Sequence, residues 1–354
     1  MKAPGLDIGA LDHAQESRSR QRDEGRRWAV GMVRGFVATL LLGLVSGPLI
    51  LPADAAVGAT TRPAGWATHC VGRFLIDLPR DAKTRASFTS GGARISTAAG
   101  VDAARFRAQV GARESELRSA KRNDGGSMLV ERYALTPNHE VLVSWSSPAG
   151  RRVYRYEEFQ HFPDSSALFR FESEGNANAS SMAQARAGQK RFGAAVRTRG
   201  AGEIPRDAGF CIENGFVAGS QLNREEVKVG ILPAGMSHTR IDLTGFVTRN
   251  PEPPLSRRIH KGGGLRVISQ KHREIDGMRG DEVVIAEGNG RSTRHEFVWE
   301  FPGTPDSLAG PFLKLSMSLE AGALGEGGDF PDLAAATQFW DDMLVSLRRR
   351  PGAT

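Results

Sequence analysis

The chain has 354 residues, 40% hydrophobic and 25% charged, with 42 glycines. That is enough apolar residue for two domain cores, and it excludes a chain too polar to fold. The net charge of +7 is uneven: residues 56–200 carry 22 Lys and Arg against 13 Asp and Glu, and residues 201–354 carry 18 against 21. The excess arginines are scattered along the first half and are not gathered on one helix. This argues against nucleic acid and suits an acidic protein face, anionic lipid or plain solvated surface.

The first informative segment is apolar, Gly35 to Pro52, with Arg26, Arg27 and Arg34 before it and Ala53-Asp54-Ala55 after it. A basic flank, a short apolar run and small residues two apart predict a secretory signal cleaved after Ala55. A membrane anchor is the alternative, but Pro48 and Pro52 leave the run short of the ~20 residues that span a bilayer. Met32 offers a second start that would make the signal compact. The mature chain is then exported to the periplasm and soluble. Residues 56–69 read as a leader. Both cysteines, Cys70 and Cys211, lie in the mature part, and an even count in an exported protein favours a disulfide over two buried thiols.

Apolar alternation at Val71, Phe74 and Ile76 opens the first domain. A helix follows over residues 102–122, with Asp102 as its cap and Ala103, Phe106, Val110, Leu117 and Ala120 at helical spacing. Gly126-Ser127 turns the chain into a strand. Residues 139–146, 152–159 and 167–174 alternate with period two, which predicts an antiparallel sheet packed on one side. A second helix spans residues 180–198, with Met182, Ala185, Phe192 and Val196 inward. Residues 199–205, rich in Gly and ending in Pro205, read as a linker.

After the linker the grammar repeats. Cys211 opens a strand as Cys70 does, and strands follow at 226–232 and 239–247. A hairpin covers 265–287, with turn signals at Asp276-Gly277 and Arg279-Gly280. Strands at 295–301 and 312–320 come next, the last alternating Leu313, Leu315, Met317 and Leu319 with Lys314, Ser316, Ser318 and Glu320. A terminal helix carries the stripe Leu333, Ala336, Trp340, Met343, Leu344 and Leu347. The segment Asp329-Phe-Pro-Asp-Leu333 opens it with a cap and an early proline, and Arg348–Arg350 suit the negative end of its dipole. The fold class is α+β: two similar domains, residues 70–200 and 201–354, each an antiparallel sheet with packed helices. A Cys70–Cys211 bridge would tie their entrances together.

The chain lacks the sequence signatures of common chemistry. No Gly-x-Ser-x-Gly elbow, His-Glu-x-x-His pair or phosphate-binding Gly-x-x-x-x-Gly-Lys-Ser/Thr occurs. His295-Glu296 sits on a strand, where neighbours face opposite ways. Gly288-Asn289-Gly290 reads as a hairpin turn and Lys261-Gly262-Gly263-Gly264 as a loop tip. Glu157-Glu158 and Asp341-Asp342 split across the faces of their elements, unlike the converging carboxylates of a glycosidase. No catalytic, cofactor or metal residue is assigned.

Three segments carry a family resemblance. Cys70-Val-Gly-Arg-Phe-Leu-Ile-Asp-Leu-Pro79, Gly209-Phe-Cys-Ile-Glu-Asn-Gly-Phe216 and Phe339-Trp-Asp-Asp-Met-Leu-Val-Ser-Leu-Arg-Arg-Arg-Pro351 stand in the same order as in the type VI secretion lipase-immunity proteins, which the chain resembles over roughly residues 68–351. The resemblance implies a periplasmic two-domain claw, with no enzymatic activity and no cofactor. It would clamp a cognate phospholipase effector and keep it from membrane lipid, and it would be a monomer when unbound. The signature residues read as fold determinants, so no effector contact is carried over, and a variable loop over residues 250–264 is the candidate contact. The alternative is an exported envelope enzyme or small-ligand carrier, which a deep apolar pocket with converging polar groups would favour.

Overall fold

Trp66–Val71 (β1) and Phe74–Pro79 (β2) pair as an antiparallel hairpin. The chain continues through Lys83–Ser90 (β3), Ala93–Ala98 (β4), the helix Ala103–Ser119 (α1), Leu129–Thr136 (β5), His139–Trp145 (β6), Val153–Phe162 (β7), Ala167–Asn176 (β8) and the helix Ala179–Ala195 (α2). Val196–Thr198 (β9), Gly209–Ile212 (β10), Gly215–Ala218 (β11), Glu226–Leu232 (β12) and Thr239–Phe246 (β13) follow, then the single helical turn Leu255–Arg258 (α3). Leu265–Ile275 (β14), Met278–Glu287 (β15), Arg294–Phe301 (β16), Phe312–Leu319 (β17), the helix Leu333–Ser346 (α4) and Arg348–Arg349 (β18) complete it. This computed structural model describes residues 62–219, 224–259 and 265–354. The signal segment with Ala53-Asp54-Ala55, Met32, residues 56–61 and the loop tip 260–264 lie outside the described residues.

Local chemistry accounts for the elements. Each long helix opens on a side chain that accepts a first-turn N–H: Asp102 from Arg105, Asn178 from Ser181 and Asp332 from Ala335, as preferred caps do. The hairpin between β14 and β15 turns on Asp276 and Gly277, whose φ values of 49° and 75° are the two positive angles such a tight turn requires. In β17, Leu313, Leu315, Met317 and Leu319 are all buried, so strict alternation places one face in the core.

Three antiparallel sheets result: β1-β2-β18, β10-β11-β9, and a 12-stranded sheet in the order β14-β15-β16-β17-β13-β12-β3-β4-β8-β7-β6-β5. The protein is thus a mixed α/β structure of antiparallel sheets with few helices, and the described residues belong to one compact unit. The large sheet crosses the position of the linker, because β3 pairs with β12 over the whole of β12. Only three residue pairs of the β3–β4 hairpin, Phe88 with Ile95, Thr89 with Arg94 and Ser90 with Ala93, join this part to the strands of residues 93–176. β1 and β2 side with the C-terminal residues: β18 pairs with β2, and Phe74, Ile76 and Leu78 share a core with Trp340, Met343 and Leu344.

Several sequence expectations are corrected. Regular structure starts at Trp66, inside the stretch read as a leader, because Trp66 is buried against Phe339 at a ring distance of 5.2 Å. The sheet of β5–β8 is covered on both faces. Phe106, Val110 and Leu117 of α1 meet Leu142, Phe159 and Leu168 on one side. Met182 and Ala185 of α2 meet Val141, Val143 and Tyr156 on the other. The second helix stops at Ala195, and Val196 is buried as a strand residue. Within the segment that opens α4 the cap is Asp332, while the Asp329 carboxylate accepts from Ser237 N, His238 N and Thr239 Oγ1. Arg348 and Arg349 leave the helix to form β18, and Arg350 is buried.

Candidate protein-binding surface

The signature residues converge on a buried junction. A disulfide joins Cys70 to Cys211, with Cα atoms 5.9 Å apart. Gly72, at φ 58°, turns the β1–β2 hairpin and exchanges backbone hydrogen bonds with Cys211, N to O 2.9 Å and O to N 2.7 Å. Arg73 donates through Nε and Nη2 to the two carboxylate oxygens of Glu225, each at 2.7 Å, and also to the carbonyls of Gly219 and Ala353. Arg350 donates to the carbonyls of Pro205 at 2.6 Å and Gly209 at 2.7 Å. Burial, with the charge of Arg73 beside it, lowers the Arg350 guanidinium below its usual range. Arg73 is held by a carboxylate and carbonyls and Arg350 by carbonyls alone, all inside the protein, so the junction locks chain segments together.

The outward surface is one face of the large sheet. Register traces it across the strands: His272, Asp281, Glu300, Lys314, Thr244, Lys228 and Ser87 lie opposite one another in turn, and β4 and β8 extend it through Arg94 and Glu172 to Leu142 and Phe159. Helix α1 covers the β6–β8 end of this face, and the segment carrying α3 covers the β15–β16 end. Between them no described segment covers β4, β3, β12, β13 and β17 on this face, with Arg94, Arg85, Lys228 and Arg240 exposed. At ~4.8 Å per strand this strip is about 20–25 Å wide.

Buried carboxylates of the sheet pin both rims. Glu157, buried on β7, accepts from Arg113 of α1 at 2.6 and 2.9 Å. At the other end Asp281 accepts the Ser256 N–H at 2.8 Å and Glu300 pairs with Arg258, both acids being buried. Burial raises the Asp281 carboxyl, but the Ser256 hydrogen bonds and His272, whose Nδ1 lies at 2.7 Å, outweigh it and hold the group below its usual range. The described part of the loop singled out from sequence, residues 250–259, therefore stands at the rim of the strip. Cys70 and Cys211 lie in the junction, away from this face.

Within the strip, Lys228 pairs with Glu226 at 2.9 Å and Arg240 with Asp242 at 3.0 Å. Burial pushes the Glu296 carboxyl up, with Lys314 opposing and Asp242 adding to the rise. Phe246 and Phe312 stack at 4.5 Å and give the face an apolar corner. A small crevice beside it is lined by Arg73, Phe210, Glu225, Phe246 and Pro311 among others, and its charged groups are already paired with each other. His295 and Glu296 face opposite sides of β16. Among the described residues no three His, Cys, Asp or Glu side chains gather to hold a metal, and no helix is long and apolar enough to cross a membrane.

A broad polar sheet face framed by pinned segments defines a protein-binding class. The chain belongs to the Tle cognate immunity protein 4 family: the model of that family's N-terminal domain matches residues 67–187 and that of its C-terminal domain residues 203–352. The fold recurs in the apo structure of immunity protein TplEi of T6SS from Pseudomonas aeruginosa, which is 24% identical with a TM-score of 0.72 over 82% of this chain and 98% of that one. The Tle4-Tli4 complex is similar at 24% identity and a TM-score of 0.72, over 82% and 99%. TplEi complexed with "L" peptide gives 24% and 0.68, over 81% and 99%. At this identity the likeness establishes the fold. No curated protein matches the sequence.

Sequence reasoning did not find the strip. Its residues are the polar positions of alternating strands, and such positions look alike whether a helix covers them or not. No signal within those strands marks the difference, and it is only in the structure that no helix among the described residues packs over β3, β12, β13 and β17 on that side.

Proposed function

We propose that this protein is a periplasmic immunity protein that binds a cognate type VI lipase effector across the uncovered sheet face, gripping it between α1 and the 250–259 segment. The observation that carries this reading is the strip itself: about five strands wide, bare, polar, and framed on the same face by two segments anchored through buried carboxylates. Family membership supplies the partner class, and the relative crystallised as a Tle4-Tli4 complex shares the fold. A lipase must expose an apolar surface to reach lipid, so holding its covering elements shut inhibits it without any chemistry by the inhibitor.

In this reading residues 1–55 are the export signal, the mature chain begins at Ala56, and two lobes act as the arms of a claw. Residues 93–198 form one lobe, and residues 66–90 join 209–353 in the other. The three-pair β3–β4 seam and the three pairs between β9 and β11 lie where the lobes meet, and the Cys70–Cys211 bridge lies within the second lobe. The lobe division differs from a cut at residue 200, which would part β3 from β12 and β2 from β18.

The test uses the whole mature chain and the lipase encoded beside its gene. Calorimetry should give a complex at submicromolar concentration. Inhibition should be strong on phospholipid vesicles and weak on a short soluble ester, which needs less opening of the enzyme. No complex at micromolar concentration, or equal inhibition on both substrates, would sink the reading.

A further inference from the structure

The uncovered strip is not electrically uniform. Toward β13 its cations have partners in the face, Lys228 with Glu226 and Arg240 with Asp242. Around the β3–β4 hairpin they do not. Lys83 and Arg85 of β3, Arg94 of β4 and Arg224 just before β12 are exposed, and none forms an ion pair among the described residues. The first three lie on the strip's face by register, because Lys83, Arg85, Ser87 and Thr89 alternate onto it and Thr89 stands opposite Arg94. Arg224 keeps the parity of Glu226, and its side chain lies by the turn at Gly92. From Lys83 to the Thr89–Arg94 pair is about 20 Å of strand, so the cations form a row as long as an extended segment of about six residues.

Such a row carries self-repulsion that no ion pair among the described residues relieves, Glu172 opposite Arg94 pairing with Arg170 at 3.7 Å instead, whereas an opposing acidic segment would pair each cation and speed encounter. We propose that the β3–β4 end of the strip receives an acidic, extended segment of the protein partner, held by Lys83, Arg85, Arg94 and Arg224. This rests on the partner-binding reading above and adds the chemistry of what is bound. A protein segment fits better than a membrane because α1 packs over the neighbouring β6–β8 end of this same face and stands beside the cations by up to a helix diameter, ~10 Å.

Stopped-flow association of the mature chain with the neighbouring lipase, at about 50 mM and about 300 mM salt, tests this. Arg85→Glu/Arg94→Glu should slow association about tenfold at low salt, with the difference shrinking at high salt. Arg85→Gln/Arg94→Gln should give a smaller slowing of the same kind. Lys190→Glu/Arg191→Glu, on α2 across the sheet, should stay within about twofold of wild type. Tight binding with unchanged association by both Arg85/Arg94 variants overturns the charge assignment and leaves the partner reading standing. Loss of co-sedimentation with phosphatidylglycerol vesicles in the charge-reversed variant, with lipase binding intact, assigns the row to membrane and overturns it too. If wild type does not bind the lipase at all, the partner reading fails and the assignment with it.

Discussion

Arg73, in the turn between β1 and β2, grips Glu225 through two hydrogen bonds of 2.7 Å across 152 positions of sequence, with both side chains buried. A charge placed so deep is tolerated only with its partner and with carbonyls for the remaining donors, and here Gly219 and Ala353 take those.

Breaking this pair from one side should be far worse than removing it whole. Arg73→Met leaves the Glu225 carboxylate buried without its counter-charge and should cost about 3–5 kcal/mol. Arg73→Met with Glu225→Gln should recover a large part of that loss. Urea unfolding of wild type, both single variants and the double variant checks it; a double variant as unstable as the sum of the singles refutes the coupling.

The Cys70–Cys211 bridge encloses a sequence separation of 141. Loop entropy sets an upper figure of about 5 kcal/mol for its loss, with residual denatured-state structure reducing it. Cys70→Ala/Cys211→Ala should unfold at lower urea than oxidised wild type. Non-reducing peptide mapping of protein from a periplasmic extract should return the two cysteines in one linked peptide. Free alkylation of both in unfolded, unreduced protein would exclude the bridge.

The 250–259 segment depends on its two carboxylate anchors. Asp281→Asn/Glu300→Gln weakens the hold on Ser256 and Arg258 while the strands beneath keep their own pairing. Local opening should rise by about 1–3 kcal/mol, which is about tenfold or more in tryptic cleavage after Arg257 and Arg258. Limited proteolysis followed by mass mapping measures it, and cleavage rates equal to wild type would show that the anchors do not hold the rim.

Glu296 supplies a pH-dependent prediction. Burial raises its carboxyl pKa above the ordinary 4.5, so the folded state holds the proton more tightly than the unfolded one. Its favourable contribution is fully present below pH 4.5 and is lost as pH rises through the folded value. Glu296→Gln should therefore raise Tm at about pH 8, by an amount on the order of 2 °C, and leave it unchanged at about pH 4. Calorimetric scans at the two values decide it; a gain confined to low pH would reverse the sign.

Much of the fold was legible because local rules and tertiary packing agreed. The alternation of Leu313, Leu315, Met317 and Leu319, the stripe of Trp340 and Met343, the cap at Asp102 and the turn at Asp276-Gly277 each encode their own structure within a few residues. The three signature segments were equally plain as determinants of the fold, since a glycine turn, a paired cysteine and a buried tryptophan tolerate few substitutes.

What the sequence could not reveal was which polar faces stay bare. Lys228 and Arg240 sit at positions that read as solvated strand faces, and so does Glu157, which α1 buries; Arg85 lies on β3, in a stretch given no element from sequence. Nor do Arg348 and Arg350 look different from helix-terminal cations, although one joins a strand and the other enters the junction. The proposed binding surface is defined by where α1 and the α3 segment dock and where no other described segment does. Burial of that kind depends on contacts between residues far apart in the chain, and periodicity within a single element carries no record of them.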